Sequence, residues 1–288
     1  VTDALGIALG STVESRAPLG GGSINEAQHL RLADGRDVFA KSRAGASAAE
    51  FAAEAAGLDW LRSAEAVSVP GILALGGADE PFLALEWIEP GALSADGAER
   101  FGRGLAELHG SGAAAHGALP PGSPDRTLRV GALALDSPER DSWADAYAAD
   151  RLLPAARMAS ERGDLSPGGF RAVERVCERM EQLAGPAEPP ARLHGDLWSG
   201  NLLADAAGEA WLVDPAAYGG HREIDLAMLR LFGSPSQRIF DAYDEAAPLA
   251  GGHEDRTELW QLFPPLVHAA LFGGSYGASA ERVAARYA

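Results

Sequence analysis

Leu193-His194-Gly195-Asp196-Leu197-Trp198-Ser199-Gly200-Asn201 is the run of residues on which the reading of this chain turns. It sets a carboxylate, Asp196, and an amide, Asn201, five positions apart. Beyond them, after a strand expected over 210–213, stands a second carboxylate, Asp214. Oxygen donors of this kind suit Mg²⁺, and a carboxylate within reach of a hydroxyl can orient and deprotonate it. Phosphoryl transfer asks for little more from a protein than those groups, well placed. Singly, each residue means little, because Asp, Asn and Gly are ordinary turn formers. The order and spacing carry the signal.

Outward from this segment the chain changes character. Towards the N-terminus, stretches 27–32 and 37–41 flank Asp34-Gly35, a strong hairpin dipeptide. A helix is expected next, with Phe51, Ala55, Leu58 and Leu61 on one buried face, then strands over 72–75 and 82–88. Past Pro90-Gly91 helical spacing takes over, as in Ala98, Phe101, Leu105 and Leu108, or Phe170, Val173, Val176 and Met180. Residues 110–142, rich in Gly, Pro and Ala, read as a long irregular excursion. The sequence therefore predicts an α+β, two-lobed molecule. A small antiparallel lobe with one helix (1–88) precedes a larger, mainly helical lobe (89–288).

Bulk properties bound the function. With 288 residues, 47% hydrophobic and 23% charged, the chain is long enough for two lobes around a cleft. No stretch is long and apolar enough for a membrane-spanning helix, and the N-terminus does not read as a signal peptide. The single cysteine, Cys177, excludes an internal disulfide framework and suits a reducing cytoplasm. A net charge of −17, from 24 basic and 41 acidic residues, argues against nucleic acid or anionic lipid as a partner. It also means that a polyphosphate site must gather positive charge locally. Lys41, on a strand after the Gly20-Gly21-Gly22 run, can do so.

The ordered motifs resemble those of the fructosamine (ketosamine) 3-kinases, small-molecule kinases of the protein-kinase-like fold. The likeness rests first on residues 193–201, where His-Gly-Asp stands in place of the protein-kinase His-Arg-Asp. It extends to Gly21-Gly22-Ser23-Ile24-Asn25-Glu26, to Val38-Phe39-Ala40-Lys41, and to Asp214-Pro215-Ala216 followed by His221, Glu223, Asp225 and Leu226. Leu271-Phe272-Gly273 is similar too, so the resemblance spans roughly residues 18–275. It implies an enzyme that uses ATP and Mg²⁺ to phosphorylate the 3-hydroxyl of a ketosamine, free or on a protein lysine. That is a deglycation reaction in the cytoplasm.

By the same resemblance Asp196 is the catalytic base, and Asn201 and Asp214 hold Mg²⁺. Gly21, Gly22, Ser23 and Lys41 meet the phosphates, Glu54 pairs with Lys41, and Glu86-Trp87-Ile88 forms the hinge against the adenine. Trp198, Tyr218 and His268 are candidates for the sugar site, although a tryptophan is as often a core residue. His194 reads as a structural residue of the loop, and Asp225 as a helix-start residue bracing it. His221, Glu223 and Asp225 together could pass for a metal cluster, but no HExxH-type pair accompanies them.

The sequence also departs from the family pattern. Ser23 occupies a loop position where many relatives carry Cys, and Val267 and Ala270 stand where relatives often carry Asn. The second departure bears on the acceptor. Alternatives are an aminoglycoside, choline or sugar kinase of the same fold, or a nucleotide-binding pseudokinase. Joint retention of Lys41, Asp196, Asn201 and Asp214 argues against the last.

Overall fold

The computed structural model describes residues 2–20, 25–77 and 79–288. Gly21, Gly22 and Ser23, expected to meet phosphate, lie outside the described residues.

The N-terminal part runs α1 (Thr2–Leu9), β1 (Val13–Leu19), β2 (Glu26–Leu32), β3 (Asp37–Ser42), α2 (Ala48–Arg62), β4 (Ile72–Leu75) and β5 (Phe82–Glu86). The five strands form one antiparallel sheet in the order β1-β2-β3-β5-β4. Gly35, with φ 88°, closes the β2–β3 hairpin as the Asp-Gly dipeptide predicts. Side chains alternate along β5, so Leu83 and Leu85 join Phe51, Leu58 and Leu61 of α2, while Phe82 and Ala84 face away. The opposite face is covered by Leu5 and Leu9 of α1. This second helix was not expected: it offers the core only a single i,i+4 pair of leucines, too little to register as periodicity.

The larger part is mainly helical. It runs α3 (Ala95–Gly110), β6 (Thr127–Val130), β7 (Leu133–Asp136), α4 (Trp143–Tyr147), a π-helical turn (Ala148–Leu152), α5 (Leu153–Glu161), α6 (Pro167–Glu178) and α7 (Met180–Leu183). Then come β8 (Ala191–Leu193), β9 (Leu202–Ala204), β10 (Ala210–Leu212), β11 (Tyr218–Gly220), α8 (Glu223–Leu231), α9 (Gln237–Ala246), α10 (His253–Trp260), α11 (Phe263–Phe272) and α12 (Tyr276–Tyr287). The stretch expected to be irregular contains the β6–β7 hairpin, whose inward residues Leu128, Leu133 and Leu135 are buried. Its strands are four residues each, too short to stand out against the surrounding Gly and Pro.

Two short ladders hold the segment 193–201 at both ends. β8 pairs with β11, placing Leu193 opposite Tyr218, and β9 pairs with β10, placing Leu202 opposite Leu212. Asn201 just before β9 and Asp214 just after β10 thus flank the open end of one hairpin. The Val213 N–H donates to the Asn201 carbonyl at 3.1 Å across it.

Candidate active site

Lys41 comes from β3 and lies 4% exposed beneath the sheet. Its ammonium contacts the Asp214 carboxylate and sits 2.5 Å from Glu54 Oε2 on α2. Burial alone would favour loss of the Lys41 proton, but the Glu54 and Asp214 carboxylates outweigh it and raise the pKa. Burial pushes the Glu54 carboxyl up to about 7, and nearby Asp214 adds to that while Lys41 opposes it. Glu54 Oε1 is buried without a partner. The competing residue one turn earlier, Glu50, is spent on the helix end: its Oε1 accepts from the Ser47 N–H at 3.0 Å, and its other oxygen pairs with Arg43.

Asp214 is held in the left-handed region, with φ 54°, a conformation uncommon outside glycine that Asp tolerates better than most residues. Its side chain is 50% exposed. Burial would raise its pKa, but Lys41 holds it below the usual carboxylate value. Asn201 spends its amide nitrogen on Asp196 O (2.9 Å), Asp196 Oδ2 (3.2 Å) and Asp214 O (3.4 Å), which leaves its carbonyl oxygen as an acceptor. An open carboxylate and a free amide oxygen, side by side, are a hard-oxygen pair that fits Mg²⁺ shared with phosphate oxygens. Among the described residues no group of three His, Cys, Asp or Glu could hold a metal by itself.

Asp196 faces a pocket lined by Gly195, Tyr147, Tyr218, Trp260, Val267 and His268, among others. Burial raises its pKa to about 6; repulsion from Asp214 adds to the rise, and the Asn201 amide opposes it. The loop beneath is fixed from below. Asp225, fully buried in the first turn of α8, accepts from the His194 N–H (2.7 Å), the Gly195 N–H (2.9 Å) and His109 Nε2 (3.2 Å). Burial would raise Asp225, but these hydrogen bonds keep it below the ordinary carboxylate value. His194 Nδ1 accepts from the Asp196 N–H at 3.3 Å, so Nε2 carries the proton given to Val213 O at 2.9 Å. Burial lowers the His194 pKa, which keeps this tautomer neutral. His194 is a structural residue of the loop.

The other sequence candidates fall in different places. Tyr218 and His268 line the Asp196 pocket; Trp198 is not among its lining residues and packs edge-on against Phe232 at 6.4 Å. Val267 lines the pocket, whereas Ala270 is in the core. Glu86 ends β5 and accepts from the Gly71 N–H, and Trp87 stacks on His29 at 4.0 Å in the connection towards α3, with Ile88 next to it. Glu223 is taken by Arg256 and Trp260, which disposes of the apparent His221-Glu223-Asp225 metal cluster. Burial pushes the Cys177 thiol up to about 12, so it is unreactive at neutral pH. Reading the sequence missed His109, Tyr147 and Trp260, for which aromatic or apolar identity was the only signal.

A five-stranded antiparallel lobe with a lysine–glutamate pair, over a helical lobe with an Asp-x₄-Asn loop and a following Asp, defines a protein-kinase-like phosphotransferase. More distant solved phosphotransferases of small molecules share the fold. The fructosamine kinase family model matches residues 4–287, and the chain belongs to that family. It is 35% identical over 274 residues to a probable ketoamine kinase of Synechocystis sp., covering 94% of this chain and 89% of that one. To a chloroplastic protein-ribulosamine 3-kinase of Oryza sativa it is 32% identical, covering 91% of this chain and 75% of the relative. The crystal structure of a fructosamine-3-kinase candidate from Thermobifida fusca superposes with a TM-score of 0.88 at 41% identity, covering 99% and 98% of the two chains.

Proposed function

We propose that the protein transfers the γ-phosphoryl group of ATP to the 3-hydroxyl of a ketosamine, free or protein-bound, and so initiates deglycation in the cytoplasm. The observation that carries the reading is the half-buried Asp196 carboxylate. It lies at the wall of a pocket, beside Asn201, and the Lys41–Asp214 pair stands close by. In this reading Asp196 orients the acceptor hydroxyl and takes its proton as the O–P bond forms. A pKa near 6 leaves it ionised at neutral pH and still basic enough to accept. Lys41 meets phosphate oxygens, with Glu54 fixing its position, and the 86–88 segment receives the adenine between lobes 1–88 and 89–288.

Mg²⁺, held by Asn201 and Asp214, would neutralise charge on the phosphates. The aromatic walls contributed by Tyr218 and Trp260 suit the CH faces of a sugar. Among the described residues no helix is long and apolar enough to cross a membrane. The ribulosamine kinase relative favours a ketosamine over an aminoglycoside or choline as acceptor.

The test is ATP consumption across a panel of ribulose-lysine, erythrulose-lysine, fructose-lysine, an aminoglycoside and choline, with ³¹P and ¹³C NMR locating the phosphate. Turnover confined to the ketosamines with phosphate on O3 supports the reading. Turnover of choline or the aminoglycoside alone would overturn the substrate class.

A further inference from the structure

Arg151 is a charged side chain at 0% exposure, and it is not part of the machinery described above. It sits in the π-helical turn between α4 and α5, a geometry often found at functional sites. Its neighbour Asp150 favours the charge through space but makes no ion pair with it: that carboxylate receives Arg140 Nε and Nη2, both at 2.9 Å. Among the described residues Arg151 has no carboxylate partner. Nη2 donates to Ser137 Oγ at 2.8 Å, Nη1 to the Asp150 carbonyl at 3.2 Å, and Nε is buried without a partner. A charge buried this way costs stability, and a well-packed apolar side chain in its place is often neutral or better. Fold stability alone therefore gives Arg151 no reason to be there.

What the guanidinium touches is the wall of the Asp196 pocket. It lies 4.6 Å from the centroid of the Tyr218 ring, which also stacks on Trp143 at 6.3 Å. The edge of the same ring meets the catalytic loop: a Cβ built on Gly195 would come 3.0 Å from Tyr218 Cε1. Tyr218 is 2% exposed and lines the pocket with Gly195 and Asp196. An unbroken line of contact thus runs from Arg151, through the Tyr218 ring, to the residue preceding the base.

We infer that Arg151 is a positioning residue for the acceptor: from behind the pocket wall it pins Tyr218, and through that ring fixes where the acceptor hydroxyl meets Asp196. This rests on reading the Asp196 pocket as the acceptor site. A planar guanidinium can lie on an aromatic face and bond Ser137 in one posture, which an ammonium cannot reproduce. A lysine should therefore restore only part of the function.

The experiment is steady-state kinetics with ribulose-lysine and ATP on wild type, Arg151→Met, Arg151→Lys and Asp196→Asn, with thermal unfolding alongside. Arg151→Met should raise KM for ribulose-lysine about tenfold and leave KM for ATP within about twofold, with no loss of unfolding temperature. Arg151→Lys should fall between Met and wild type. Should Arg151→Met not fold, Ser137→Ala loosens the same guanidinium and should raise the acceptor KM about threefold. Acceptor KM unchanged in the folded variant, or both KM values rising by one factor, overturns the inference. If Asp196→Asn is inactive in that case, the proposed function stands without it. Wild-type turnover in Asp196→Asn, or no turnover of ribulose-lysine by the wild type, would instead remove the reading on which it rests.

Discussion

The two walls of the cleft are built on opposite principles. On the wall proposed for the nucleotide, charges face one another at contact distance: Lys41 between Glu54 and Asp214, with Asn201 adjacent. On the wall proposed for the acceptor, among the described residues, one carboxylate, Asp196, is set among Tyr147, Tyr218 and Trp260. The first arrangement suits a ligand whose charge is fixed and large. The second suits the uncharged sugar part of an acceptor, recognised by shape and a few hydrogen bonds, with charge kept for the proton that moves. The same contrast explains the electrostatics. Asp214 is held below its ordinary pKa by a lysine, while Asp196 is pushed up to about 6 by desolvation and by repulsion from Asp214.

The sharpest way to break that contrast is to remove one carboxylate from each wall. Asp196→Asn keeps size and most hydrogen bonds but cannot accept a proton, so kcat should fall by about 10²–10⁴ while ATP affinity stays near wild type. Asp214→Ala should abolish turnover and also weaken Mg·ATP binding, measured by calorimetry, because it exposes Lys41 and Glu54 to each other alone. Equal effects of the two variants on ATP binding would erase the distinction between the walls.

Next in size is the support beneath the loop. Asp225→Asn places an amide nitrogen against one of three donors: the His194 and Gly195 N–H groups and the His109 ring. The expected loss is on the order of 3 kcal/mol in denaturant unfolding, with kcat reduced alongside. An unchanged midpoint would mean that the loop is held by its ladders instead.

The raised Asp196 pKa gives a third test, with opposite signs for activity and stability. Below about pH 6 the base becomes protonated, so kcat/KM should drop about tenfold per unit. For stability, the folded pKa lies above the unfolded value of roughly 3.9, so the native state binds more protons between these limits. The Asp196 contribution is therefore favourable below pH 4 and is lost as pH rises through 6. At pH 7 Asp196→Asn should be the more stable protein, by on the order of 2–3 kcal/mol, and the gap should close towards pH 4. A variant less stable than wild type at pH 7 would contradict the burial argument.

The smallest expected effect concerns the acceptor's length. Val267 lines the pocket with a side chain that has no polar atom, so a six-carbon sugar has fewer polar partners there. Ribulose-lysine should be preferred over fructose-lysine by about tenfold in kcat/KM. The reverse preference would show that the 267 position does not set the choice.

The two walls also differ in how legible they were. The charged wall could be read because its chemistry lies in short runs: residues 193–201, the 38–41 strand and Asp214 each carry their meaning in a few neighbours. The lobes were legible from a switch in periodicity, and α3 and the β2–β3 hairpin follow it closely. The acceptor wall draws Tyr147, Tyr218, Trp260 and His268 from four separate elements that only packing brings together. Tyr218 and His268 stand out only through the family resemblance, and Tyr147 and Trp260 look like core aromatics in isolation. Arg151 was hidden for the opposite reason, since arginine is almost always a surface residue and nothing local marks this one as buried.

The bracing of the loop by Asp225 has a consequence for the order of assembly. Its bond to the His194 N–H closes a loop of 31 residues, whereas Lys41 reaches Asp214 across 173. The entropy of closing a chain rises with the separation of its ends, so short-range contacts are rewarded early. The catalytic loop should therefore take shape on α8 before the sheet ever meets it, leaving the cleft as the last thing to close. Pulse-labelled hydrogen exchange during refolding should find the Gly195 N–H protected ahead of the β3 amides. Simultaneous protection would mean that the sheet is needed to shape the loop. If the order holds, Asp196 and its support are ready-made in the helical part, and Lys41 is a late arrival to a finished bench.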